Sequence, residues 1–252
     1  MRSAPARIMV ACDNVRVVEQ APVKKRLKHI LAALALALAL TAGVLWAMTR
    51  ALNEHPPRYQ GHPLEYWLNQ ARTQDAGASN HACLVIQATV VPQLIDTLLH
   101  DHTDSAFKRE LAARLSALPG VQVYCSTAAG RRTAAAERLG EIGPPAGAAI
   151  PALLQVLEGA DRPSRPSAAL ALGRIQREPQ TVIPRLAALL GDSQDGVPEM
   201  AATALGLWGS RAKAAVPKLL PLLKAPDREL QAAAATALKQ ICPEAAQSAG
   251  LR

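Results

Sequence analysis

The side chains best suited to chemistry sit close together at His100, Asp101 and His102, with Asp104 just beyond and His81 upstream. A His-Asp-His run at a helix end offers the nitrogen and oxygen donors that hold a divalent metal. The two imidazoles need not face the same way, and a solvated helix terminus accounts for the same residues. The four cysteines, Cys12, Cys83, Cys125 and Cys242, fit no zinc spacing. In an oxidising space a Cys83–Cys125 bond with Cys242 free is one arrangement, and small buried helix residues are the other. The sequence contains no Walker loop, dinucleotide glycine fingerprint, Gly-x-Ser-x-Gly elbow or His-Glu-x-x-His. The expectation is therefore no catalytic residue, no cofactor-binding residue and no metal ligand.

What would position any site is a repeat. Arg131–Pro163, Ser164–Gly196, Val197–Glu229 and the shortened Leu230–Arg252 superpose at a constant offset of 33 residues. Leu139, Leu172, Leu205 and Leu238 share one column, followed by Gly140, Gly173 and Gly206, then by Ile142, Ile175, Trp208 and Ile241. A second block recurs as Ile150-Pro151, Ile183-Pro184 and Val216-Pro217. Each unit reads as two helices. Ala135, Leu139 and Ile142 form an apolar stripe in the first, and Ile150, Leu153, Leu154 and Leu157 form one in the second. Pro151, Pro184 and Pro217 suit the first position of a helix, where a missing N–H is no loss. Turn chemistry lies between the helices at Gly143-Pro144-Pro145, Gln176-Arg177-Glu178-Pro179 and Gly209-Ser210-Arg211. Asp161, Asp192 or Asp195, and Asp227 stand where they could cap the next first helix. Pro221 should interrupt the third unit's second helix, and the Ala135, Ala168, Ala201 and Ala234 column suits close helix approach.

These residues resemble HEAT repeats of the short kind found in phycobilin-lyase-like proteins. The pattern AAxxLGxIG followed by AxPxLLxLL is matched by Ala135 to Leu157, Ala168 to Leu190 and Ala201 to Leu223. Gln176 and Arg177 depart from it in place of the Gly-Pro turn, and Trp208 departs from it in the Ile slot. The resemblance implies an all-α fold, a right-handed α-α superhelical solenoid. It also extends loosely upstream. Ala82–Ala88 with Val91–Leu99 reads as a divergent helix pair, Ala106–Leu118 as a further helix, and residues 121–129 as a loop. Tyr59 to Leu68 resembles an opening motif of exported bacterial HEAT proteins, with Tyr66, Trp67 and Leu68 capping the open end that a solenoid must protect. Some HEAT-fold hydroxylases hold iron with His-Glu pairs, but this sequence has no His-Glu dipeptide.

The net charge of +8 invites a nucleic-acid reading, but its distribution argues against one. Residues 1–49 carry a net +5 and the other 203 residues only +3. Lys24, Lys25, Arg26 and Lys28 precede an uncharged run from Ile30 to Thr49, long enough to cross a ~30 Å hydrocarbon core. The positive flank keeps the amino terminus in the cytoplasm, so the remainder lies on the periplasmic or extracytoplasmic side of the cytoplasmic membrane. A cleaved secretory signal is the competing reading. The expected organisation is a basic leader (1–28), a single transmembrane helix (29–49), a linker and capping segment (50–79), and divergent helices with an insertion loop (80–129). Regular repeats (130–246) and a tail (247–252) follow.

Stacked two-helix units should present a concave face lined by second helices. Its non-stripe positions are Ala152, Gln155 and Glu158, then Arg185 and Ala188, then Lys218 and Lys224, growing more positive along the array. Arg185, Lys218 and Lys224 are the candidate partner-binding residues, and an acidic protein is the fitting partner. The expected function is a membrane-anchored scaffold or adaptor without catalysis. It would have no cofactor, nucleic acid or small-molecule substrate. The alternative is an accessory or lyase-like HEAT domain acting on a pigment- or metal-bearing protein.

Overall fold

A computed structural model of the chain describes residues 34–48, 57–117, 126–159 and 162–251. The basic leader, Cys12, Cys125, Asp161 and residues 118–125 of the expected insertion lie outside the described residues. The chain divides into two compact units, Met1–Leu52 and Asn53–Arg252.

In the first unit, α1 covers Leu34–Met48, inside the apolar run expected to span a membrane. It carries Leu34, Leu36, Leu38 and Leu40 more than half exposed. Its one hydroxyl, Thr41, donates to the Leu38 carbonyl at 2.9 Å, which satisfies it within the helix.

The second unit opens on a minimal hairpin, β1 (Arg58–Tyr59) against β2 (His62–Pro63). Gln60 and Gly61 adopt φ of 48° and 83°, the left-handed pair that a two-residue hairpin turn needs. The hairpin leads into α2 (Leu64–Ala71). Tyr59, Leu64 and Trp67 are buried, and the Trp67 indole donates to the Tyr59 carbonyl at 2.9 Å. Tyr66 stays on the surface, stacked on His62 at 4.1 Å. The expected aromatic cap is therefore formed by Tyr59, Leu64 and Trp67, with Leu68 half-buried beside them and Tyr66 outside.

The divergent pair differs from expectation. α3 (Ala76–Val85), a π-helical turn (Ile86–Val90) and α4 (Val91–His100) run on as one helix. No Gly-Pro turn separates them. Pro92 removes a backbone donor and crowds the preceding turn, and the widened π turn, closed by Val91 N–H to Ile86 O, accommodates it. By length and composition this 25-residue run could cross a membrane. However, it buries Ala82, Val85, Ile86, Val90, Val91, Leu94 and Leu98, and α4 packs against the repeats that follow. α5 (Ala106–Ser116) completes the divergent region.

The regular array has first helices α6 (Ala128–Ile142), α8 (Arg165–Ile175), α10 (Val197–Trp208) and α12 (Arg228–Ile241). Between them lie the second helices α7 (Ile150–Glu158), α9 (Pro179–Leu189) and α11 (Val216–Leu219), and α13 (Pro243–Ser248) ends the array. Leu139, Leu172, Leu205 and Leu238 are all essentially inaccessible to solvent, so the shared column is one shared environment. The first helices pack directly on one another, α6 on α8 on α10 on α12. Glycines make this possible: a β-carbon on Gly140 would meet the Ala171 Cα at 3.0 Å, and one on Gly206 the Ala237 Cα at 3.1 Å. The seam therefore pairs the glycine column with Ala171, Ala204 and Ala237. In α12 the glycine position is taken by Lys239, which is exposed. Successive second helices touch one another far less than successive first helices do.

Local details correct three further expectations. Pro151 and Pro217 start α7 and α11, but Pro184 lies inside α9. Where the other units turn at Gly143 and Gly209, the second turns at Gln176 and Glu178 with φ of 53° and 56°, and its helix starts early, at Pro179. Asp227 caps α12 by accepting from the Glu229 N–H at 2.8 Å, whereas neither Asp192 nor Asp195 caps α10, whose N-cap is Gly196. Ala152 is buried, because α7 hides a wider sector that includes Val156. Pro221 acts as expected: α11 stops at Leu219 and the chain continues as a 3-10 helix from Leu220 to Lys224.

Candidate partner-binding face

The inner first helices α8 and α10 are nearly buried, enclosed by first helices on both sides and by second helices, whereas α12 leaves half of its residues exposed. Within the array before α12, exposed residues therefore concentrate on the second helices. These present Pro151, Gln155 and Glu158 from α7, then Pro184, Arg185 and Ala188 from α9, then Pro217 and Lys218 from α11 with Lys224 just beyond. The three candidate cations fall on this one row but in different states. Arg185 pairs with Glu158 of the preceding unit at 2.7 Å, both side chains about 60% exposed. Lys218 donates to the Ala187 carbonyl of α9 at 3.2 Å. Both span the gap between successive second helices. Lys224 is exposed and forms no ion pair among the described residues.

The His-Asp-His stretch is occupied with the fold. Asp101 receives two hydrogen bonds from Arg131, Nε to Oδ2 at 2.6 Å and Nη2 to Oδ1 at 2.8 Å. Arg131 also donates to the carbonyls of Ser126 and Thr103. Arg132, buried in α6, donates to the Asp101 carbonyl, and Asp104 accepts from the Ala128 N–H at 2.6 Å at the start of α6. The hydrogen bonds from Arg131 hold the Asp101 carboxyl well below its usual range, to about 2. This loop is a clasp joining α4 to the first regular repeat. His100 turns outward to Asp96, and His81 lies beside Trp67 at the other end of the helical run. Among the described residues no three His, Cys, Asp or Glu side chains converge as metal ligands would. Cys83 and Cys242 are half-buried free thiols, and Cys125, the expected partner of Cys83, lies outside the described residues.

A similar clasp closes the second unit and ties it back to the first. Arg165 of α8 binds Asp192 with Nη2 at 2.5 Å from Oδ2, and both side chains are mostly buried. It donates also to Gln194 Oε1 and to the Leu157 carbonyl. These hydrogen bonds lower the Asp192 carboxyl below its ordinary range. Between the third and fourth units the link is a carboxyl pair that the sequence reading missed. Glu199, in the first turn of α10, is buried beside Asp227, the cap of α12, and its Oε2 has no hydrogen-bond partner among the described residues. Burial, and then Asp227, push the Glu199 carboxyl upward, while the Glu229 N–H and then Glu199 pull Asp227 down. One signal was available in the sequence: Glu199 is charged in a column otherwise occupied by Thr133, Pro166 and Ala232. Trp208, in the Ile column, has its indole N–H buried without a partner, and the Arg211 guanidinium lies 4.8 Å from the ring centroid.

The repeat geometry has a family counterpart. A profile of HEAT repeats matches residues 125–206 and again 183–249. The array is built of HEAT repeats. Among solved structures, the chain is similar to the complex of CpcE and CpcF of phycocyanin lyase from Nostoc sp. PCC7120. Identity there is 25%, covering 78% of this chain and 70% of that one, with a TM-score of 0.48. It is also similar to an engineered protein at 21% identity, covering 74% and 85% of the two chains, with a TM-score of 0.39. No curated protein matches the sequence. Four carboxyls with displaced pKa values, Asp101, Asp192, Glu199 and Asp227, lie at joints between successive units or helices, and a fifth, Glu244, is lowered at the start of α13. The second-helix row is the continuous outward surface these joints hold in register.

Proposed function

We propose that the chain is a membrane-anchored HEAT-repeat scaffold or adaptor that binds a protein partner through its second-helix surface and performs no chemistry of its own. One observation carries this reading. The Asp101 and Asp192 carboxylates are tied into joints by arginines, while an ordered row from Glu158 to Lys224 faces outward. The row becomes more positive toward the third unit, which favours a partner with an acidic segment. Anchoring is supported by α1, whose leucines are exposed, and by Lys24, Lys25, Arg26 and Lys28 before it. That order implies one pass through the cytoplasmic membrane, with the repeats on the periplasmic or extracytoplasmic side.

Crosslinking in intact membranes tests the reading, with identification of what is attached to residues 130–250. Combined Arg185→Glu, Lys218→Glu and Lys224→Glu changes should weaken retention of that protein, and unchanged retention counts against the second-helix row. The alternative, an accessory or lyase-like domain, instead calls for pigment or iron in the purified protein.

A further inference from the structure

The first and third units close in the same way. A 3-10 turn, Pro144–Ala149 or Gly209–Ala215, runs directly into α7 or α11. The second helix then lays its apolar side against the first helices: Ile150, Leu153 and Leu157 of α7 are buried, as is Leu219 of α11. In the fourth unit the corresponding turn is α13, and there the path changes. Gly250 takes a φ of 82°, its N–H bonds to the Gln247 carbonyl at 2.9 Å, and the Leu251 N–H bonds to the Ala246 carbonyl at 3.0 Å. This is a left-handed stop that folds the chain back on α13. By the 33-residue offset, Ala249 and Leu251 stand where Val216 and Lys218 begin α11.

The flank of α12 that a second helix would cover is thus an open groove of about 740 Å³. Leu220, Leu223, Ala232 and Ala235 make its apolar walls, and Lys224 and Arg228 stand on it as cations. No carboxylate lines it, and neither cation pairs with one among the described residues. It runs beside α12, Ala249 and Leu251 also border it, and its cations favour an acidic occupant.

We propose that this groove docks an amphipathic helix of a partner protein. The helix's apolar side would repeat the spacing of Ile183, Leu186 and Leu190 in the second unit, and its flanking residues would be acidic, to meet Lys224 and Arg228. The helix would lie along α12 beside Leu220 and Leu223, in the helix-in-groove manner. This rests on the reading of the chain as a protein-binding scaffold, and it specifies where the partner engages and by what kind of segment.

The test uses the full-length protein in nanodiscs and a fluorescent peptide of residues 179–190 carrying Gln180→Glu, Thr181→Glu, Arg185→Glu and Ala188→Glu. A second peptide has lysine at the same four positions. Fluorescence anisotropy should show saturable binding of the acidic peptide, with the basic one weaker by about tenfold or more. Lys224→Glu with Arg228→Glu should reverse that preference, and Ala232→Trp, which fills the slot, should abolish binding of both peptides while helical circular dichroism is retained. Equal binding of the two peptides overturns the proposal, as does an acidic preference that survives the double charge reversal. Self-association lost in the Ala232→Trp variant overturns it too, because a second copy would then be the occupant. A photo-crosslinker at Ala188 and another at Ala232 separate the two levels. A membrane partner captured only at Ala188 keeps the scaffold reading and removes the groove, and capture at neither position removes both.

Discussion

Gly173 and Ala204 meet so closely that a β-carbon on the glycine would stand 2.6 Å from the Ala204 Cα. The neighbouring atoms are backbone, so relief requires that α8 and α10 separate. Gly173→Ala is expected to destabilise the array by about 1–3 kcal/mol, through overpacking. Gly191, with no atom within 4 Å of an added β-carbon, is the control. Gly191→Ala should leave stability unchanged or raise it by a few tenths of a kcal/mol, by restricting the unfolded chain. Urea midpoints of the two variants, measured side by side, check the contrast.

The Asp101–Arg131 clasp should make stability depend on acid. With its carboxyl held at about 2, below the value of ~3.9 for an unfolded aspartate, Asp101 contributes stability that is present above pH ~4. That contribution is lost as pH falls toward 2. Asp101→Asn removes it at neutral pH and so lacks that share of the acid-induced loss. Denaturation of parent and variant at pH 6 and pH 2.5 should show a gap at the higher pH that narrows at the lower one.

Glu199 works in the opposite sense. Its carboxyl is raised above the unfolded value by burial and by Asp227, so its contribution is favourable while protonated and is lost as pH rises through the raised value. Glu199→Gln offers a hydrogen-bond donor beside Asp227 without a charge to bury. The variant should match the parent near pH 4 and exceed it in thermal midpoint at pH 8. A parent that is equally stable at both pH values, relative to the variant, would contradict this account of the pair.

Arg185 and Lys224 should separate stability from binding. Arg185 pairs with Glu158 at an exposed site, where such a bridge is worth about 0.2–1 kcal/mol, so Arg185→Ala should lower stability within that range. Lys224 has no ion-pair partner among the described residues, so Lys224→Glu should leave the urea midpoint unchanged while reducing capture of an acidic partner. A loss of stability in Lys224→Glu would assign it a structural role instead.

The repeat was readable from sequence because burial recurs with it: the Leu139 column is inaccessible in all four units, and its glycines fall where backbones touch. Periodicity says nothing about what occurs once. The Asp101–Arg131 clasp joins a divergent helix to the array, so no column pairs the two residues. The Glu199–Asp227 pair exists at one joint alone, and only the odd charge in its column marks it. The turn was legible in all three units, but not that Gln176 and Glu178, which have a β-carbon, would take a positive φ in the second. Candidate cations could be placed on second helices from the pattern, but not their partners: Glu158 for Arg185 depends on how far apart those helices stand.

Lys239 gives the array a direction of growth. Because the same glycine–alanine seam joins α6 to α8, α8 to α10 and α10 to α12, a duplicated 33-residue segment could be spliced between any of these pairs and find matching surfaces on both sides. Beyond α12 it would meet a long charged side chain where every earlier joint has none. Lengthening by duplication is thus easiest among the glycine-bearing helices, so extra copies of the 33-residue segment should fall before the lysine-bearing helix.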